Sequence, residues 1–145
     1  MQLPGGAIIL AVLAMISPTA NAQSETPRSV SYGCSGGFTG GGGGVTVRSN
    51  GTILKWSLPA AGGSVEESVI RSDPTAAQKL FRQLDEMHFT NIEYKRFGNM
   101  TCHLTLREGS TTHAVSWEIG DTSVPSQVSA LSSDLERLAL PVESK

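Results

Sequence analysis

Val45-Thr46-Val47-Arg48-Ser49-Asn50-Gly51-Thr52-Ile53-Leu54-Lys55-Trp56-Ser57-Leu58 is the stretch whose reading decides the fold of this chain. Asn50-Gly51 is the dipeptide favoured in a two-residue type I′ hairpin turn, because both central positions of that turn need a positive φ. Alternating residues flank it on both sides. Folding about such a turn pairs Val47 with Leu54 and Val45 with Trp56, which places these four on one face. Thr46, Arg48 and Lys55 then point to the other.

A second hairpin follows from the same logic over residues 100–119. A turn at Gly109-Ser110 pairs Leu106 with His113, Leu104 with Val115 and Cys102 with Trp117, with His103, Thr105 and Ser116 on the opposite face. Val30-Ser31-Tyr32-Gly33-Cys34 alternates weakly and reads as a first strand, and residues 65–70 as a short edge strand. Between the hairpins, Asp73-Pro74 opens a helix with Asp73 as N-cap and Pro74 at the first helical position. Ala77, Leu80, Phe81, Leu84 and Met87 form its apolar stripe. Pro125 opens a C-terminal helix with Val124, Val128, Leu131, Leu135 and Leu138 on one side. The order is strands, helix, strands, helix. It predicts an α+β domain, a two-layer antiparallel β-sheet with two helices packed on one face.

Residues 1–22 read as a secretion signal peptide. Ala7 to Ile16 is an apolar run too short to span a bilayer comfortably, and Ala20-Asn21-Ala22 supplies small residues for cleavage. Residues 23–28 then form a flexible leader, 29–140 a single domain and 141–145 a tail. The formal charge of −2 is close to neutral and argues against nucleic acid, which calls for a basic face. No polybasic cluster is present to hold a membrane surface, and no second apolar run approaches spanning length. Localisation in the periplasm or outside the cell is expected. An oxidising compartment favours a disulfide between the two cysteines, Cys34 and Cys102.

Motifs for catalysis are weak. Gly33-Cys34-Ser35-Gly36-Gly37 matches G-x-S-x-G, but that nucleophile elbow needs a helix after the serine. Here a five-glycine run, Gly40 to Gly44, and a hairpin follow. The same glycines lack the Lys and Ser or Thr of a phosphate-binding loop. His88, His103 and His113 form no HExxH array, and the hairpin register puts the last two on opposite faces, so no metal site is expected. Glu66 and Glu67 are adjacent and point apart on a strand, while Asp85, Glu86, Asp134 and Glu136 fall on polar helix faces. No nucleophile, base and orienting group come together. The expectation is a protein that binds, is not an enzyme and takes no cofactor. The glycine run, costly to order, reads as a mobile loop.

Ser35-Gly36-Gly37-Phe38-Thr39-Gly40 resembles the N-terminal motif of the emfourin family, small bacterial proteinaceous inhibitors of thermolysin-like metalloproteases such as protealysin. The likeness continues as a sparse pattern over most of the chain after the leader. Strands follow the motif, then a helix with a Leu stripe and a strand of alternating apolar residues. A strand resembling His113-Ala114-Val115 comes next, and a Pro-led terminal helix, residues 125–138, closes the pattern. The resemblance implies an inhibitor that meets a secreted metalloprotease through Gly36, Gly37, Phe38, Thr39 and Gly40. Proteases of that type accept a large apolar side chain beside the scissile bond, a place Phe38 would fill. The residues themselves favour the plainer expectation, Phe38 packed under the sheet with the glycines allowing a tight bend. The other functional expectation is an envelope or extracellular interaction module, without protease inhibition, whose Gly-rich loop is the contact surface.

Overall fold

The computed structural model describes residues 26–142; the expected signal peptide lies outside them. Six strands run as β1 (Arg28–Gly36), β2 (Gly42–Arg48), β3 (Thr52–Leu58), β4 (Glu66–Ser72), β5 (Met100–Glu108) and β6 (Thr111–Glu118). Two helices, α1 (Pro74–Glu86) and α2 (Ser126–Leu138), follow β4 and β6. The strands form one sheet in the order β4-β3-β2-β1-β5-β6, antiparallel throughout. This is the α+β architecture that the strand and helix pattern predicts.

Period-2 alternation explains the layering. Val30 of β1, Val45 and Val47 of β2, Ile53 of β3, Cys102, Leu104 and Leu106 of β5, and Val115 and Trp117 of β6 are buried together with the helix stripes. Those stripes are Ala77, Leu80, Phe81 and Leu84 of α1 and Val128, Leu131 and Leu135 of α2. Each Val, Leu, Ile or Phe among them, removed from water, contributes about 1.5–3 kcal/mol before entropy is counted. The start of α1 is fixed by Asp73, whose carboxylate accepts from the Ala76 N–H at 3.0 Å. Pro125 takes the N-cap place of α2 without a side-chain cap. β1 begins at Arg28, where the leader was expected to end. Arg28 is paired with Asp85 of α1 at 2.6 Å and lies over the Phe81 ring, tying the first strand to the first helix.

The β5–β6 hairpin has the expected register, with Cys102 opposite Trp117, Leu104 opposite Val115 and Leu106 opposite His113. The β2–β3 hairpin does not. Val47 pairs with Ile53, Thr46 with Leu54, Val45 with Lys55 and Gly44 with Trp56. The connection is three residues long, Ser49-Asn50-Gly51, rather than two. Gly51 takes φ 96°, its N–H donates to Arg48 O at 2.9 Å, and Asn50 Oδ1 accepts from the Thr52 N–H at 3.0 Å. This is the alternative hairpin loop in which glycine ends the turn in a left-handed conformation. The one-residue difference turns β3 over. Ile53 enters the core, Lys55 moves to the helix side, and Leu54 and Trp56 lie on the open face of the sheet.

The glycine run is the second departure. Gly42, Gly43 and Gly44 are not a mobile loop; they are paired strand, bonded to β1 on one side and β3 on the other. Gly33 and Gly44 face each other across β1 and β2, and the Trp56 side chain occupies the space where their side chains would be. A Cβ on Gly44 would stand 2.7 Å from Trp56 Nε1 and collide with the Tyr32 carbonyl. Trp56 Nε1 is buried there without a hydrogen-bond partner among the described residues. Aromatic cover compensates the missing side chains of strand glycines. Gly44→Ala is therefore expected to lower the unfolding free energy by about 1–3 kcal/mol, the usual cost of overpacking. An unchanged midpoint in denaturant would show that both the indole and the β1 backbone give way at no cost.

Candidate partner-binding site

The residues expected to bind a partner sit at the β1–β2 connection. Gly36 ends β1, Gly37-Phe38-Thr39-Gly40-Gly41 make the turn, and Gly42 starts β2. Phe38 stands at its tip with a relative exposure of 108 %, so it does not pack under the sheet. The remaining positions are ordered by hydrogen bonds. Gly36 N–H donates to Gly41 O at 2.9 Å, Gly40 N–H to Gly37 O at 3.3 Å, and Gly41 N–H to Thr39 Oγ1 at 3.2 Å. Gly37 and Gly40 take φ values of 70° and 69°. Both lie in the left-handed region, where glycine carries no Cβ penalty.

Two neighbouring segments touch this turn. Gly37 N–H donates to Asn99 O at 2.7 Å, just before β5, and Thr39 O accepts from the Ala61 N–H at 2.9 Å, in the β3–β4 connection. Beyond Asn99, Met100 pairs with Gly36, and Ile119 N–H donates to Met100 O at 3.0 Å. Phe38 and Ile119 thus project as exposed apolar side chains from the same end of the sheet. Sequence reasoning found Gly36 to Gly40 but missed Ala61 and Asn99, which act through backbone groups that any residue carries.

Cys34 and Cys102 form the expected disulfide. They are direct partners across β1 and β5, so the bond locks the strand two residues before the turn. Next to it, between β1, β2, β3 and the end of α2, a hollow of about 480 Å³ lies over Gly43, with Tyr32, Lys55 and Glu136 on its walls. Burial first, and Glu136 second, push the Tyr32 hydroxyl up to about 12, so it stays protonated and is no base at neutral pH.

The histidines are dispersed. His113 Nε2 lies 2.8 Å from Ile92 O and its ring meets Phe89 edge-on at 5.2 Å. His103 Nδ1 lies 2.8 Å from Ser116 Oγ on the open face, near the exposed Phe97. His88 is exposed beyond the end of α1. Among the described residues no three His, Cys, Asp or Glu side chains converge on a metal position. Among those same residues no helix is long and apolar enough to cross a membrane.

No protein-family model and no curated protein matches this chain.

Replacing both cysteines by serine is expected to cost about 3–5 kcal/mol of stability in the chain-entropy model, since the bond closes a separation of 68 residues. Equilibrium unfolding with and without reductant checks this. A second expectation concerns pH. Burial holds the His103 imidazole below its usual value of 6.5. As pH falls, the unfolded chain takes up this proton before the folded one does, so stability is lost on acidification through 6.5. Thermal melts between about pH 5 and 8 should show a decline that His103→Gln flattens.

Proposed function

We propose that this protein is a binding protein, an inhibitor of thermolysin-like metalloproteases, and that the Gly36–Gly40 segment enters the partner's cleft with Phe38 leading. The observation that carries the reading is the position of Phe38: fully exposed at the tip of a hydrogen-bonded turn. Leaving a large aromatic side chain in water has no value for folding, whereas an aromatic anchor filling an apolar pocket is the usual centre of a binding hot spot. The flanking glycines keep other side chains away from the tip, so that a partner's pocket meets the Phe38 ring first. The resemblance of Ser35 to Gly40 to the emfourin motif supports the choice of partner. The disulfide suits action in an oxidising compartment outside the cytoplasm.

The test is titration of the chain beginning at Gln23 against thermolysin-like metalloproteases, following residual peptidase activity. Stoichiometric loss of activity is expected. Phe38→Ala should weaken inhibition about 30-fold or more, the size of a ~2 kcal/mol hot-spot truncation. Its melting temperature should stay unchanged, because an exposed tip contributes little to folding. Inhibition that survives Phe38→Ala intact would remove the residue from the mechanism. No inhibition at large molar excess would favour an interaction module with a different partner.

A further inference from the structure

The backbone of the candidate loop differs from that of a cleavable peptide. Extended peptides are recognised as added strands, each residue in the β region. Gly37, with φ 70°, and Gly40, with φ 69°, lie outside it. The Gly37–Phe38 bond therefore stands at a bend. That bend is held from both sides by segments outside the loop. Asn99 O accepts from the Gly37 N–H at 2.7 Å, and the Ala61 N–H donates to Thr39 O at 2.9 Å. The Ala61 turn is itself closed. Gly63 N–H donates to Ala60 O at 3.1 Å, and Gly62 sits at φ 75°. That places glycine at the third position of a type II turn, as the turn requires. Turn and loop also touch through side-chain space, since a Cβ on Gly40 would stand 2.5 Å from Ala61 Cβ.

We infer that the Phe38 loop, the Ala60–Gly63 turn and Asn99 act as one braced wedge, held in a bent form that fills a peptidase cleft without being cut. The inference rests on the inhibitor reading above and adds the positioning elements and the fate of the loop. Two physical effects favour it. A loop already ordered in its bound shape loses less conformational entropy on binding. Hydrolysis needs the scissile carbonyl aligned for attack, and straightening Gly37 to achieve this would break its bond to Asn99 and the turn that Thr39 shares with Ala61.

Ala61→Pro tests the brace. Proline suits the second position of a type II turn, where its fixed φ is the one required, but it removes the N–H that Thr39 O accepts. Ala61→Ser, which keeps the N–H, is the control. Each protein is incubated with a thermolysin-like metalloprotease that the wild-type chain inhibits, and the recovered inhibitor is weighed by mass spectrometry. Wild type and Ala61→Ser should be recovered intact. Ala61→Pro should inhibit about tenfold more weakly and be cut at Gly37–Phe38, while melting close to wild type. Amide exchange without any protease provides a separate readout. Gly37 and Ala61 amides should be protected in the wild type, and Gly37 should exchange faster in Ala61→Pro. Cleavage of the wild type at Gly37–Phe38 during inhibition would overturn the inference, as would an Ala61→Pro protein that inhibits normally and stays whole. If the wild type inhibits no protease, the parent reading fails, and the cleft with it. Rapid exchange of Gly37 and Ala61 in the wild type would instead remove the brace.

Discussion

The structure depends on β1 being paired along both edges. From Ser29 to Ser35 its residues are matched to β2, and from Arg28 to Gly36 to β5. A strand in that position is bordered by hydrogen-bonded neighbours along both edges, which makes its pairing hard to open locally. β1 also carries half of the disulfide, the buried Val30 and the Arg28 that reaches α1. The turn that presents Phe38 begins where this strand ends. Placing an exposed aromatic tip directly on the best-anchored strand gives the tip a fixed base.

Much of the architecture was legible because local signals agreed with one another. Asp73-Pro74 is a helix start both by capping chemistry and by the apolar period that follows. The β5–β6 hairpin has a two-residue turn and a matching alternation, so only one register satisfies both. The β2–β3 hairpin carries no such agreement. Asn50-Gly51 is compatible with two loop lengths, and the alternation of Val45, Val47, Leu54 and Trp56 supported the wrong one. What decides between them is not local. Gly33 and Gly44 leave a space on the open face that an indole can cover, and Ile53 must complete the core. The sequence of either strand alone carries neither fact.

The glycine run was misread for a related reason. A glycine-rich stretch pays a large entropic cost to become ordered, which argues for a loop when nothing else is known. Here Gly42, Gly43 and Gly44 lie between two strands, where ladder hydrogen bonds and the cover of Trp56 offset that cost. The candidate site was legible only at its tip. Phe38 among glycines is conspicuous in the sequence, whereas Ala61 and Asn99 contribute peptide groups, which leave no mark in residue identity. The helix positions were read correctly, but Asp85 was expected simply to face solvent, and its partner Arg28 lies 57 positions away.

The two margins of the sheet are treated differently. Along β6, residues 94–96 run parallel to the strand, with Ser116 N–H donating to Tyr94 O and Arg96 N–H to Ser116 O, both at 2.9 Å. Tyr94 is moored in turn by its hydroxyl, which donates to Asp121 at 2.6 Å. Among the described residues no such strip lies along β4. That margin carries Glu66 and Glu67, its pairing shifts register beside Leu54, and Arg71 near its end is drawn away to Leu138 O at 2.6 Å. Charge, a register irregularity and a tethered arginine are the features by which a bare strand edge discourages pairing with a neighbouring chain. The first hairpin can therefore carry an adhesive tip while the β4 margin, where Val69 is also exposed, relies on its charge and irregular pairing to resist stacking strand against strand when the protein is concentrated.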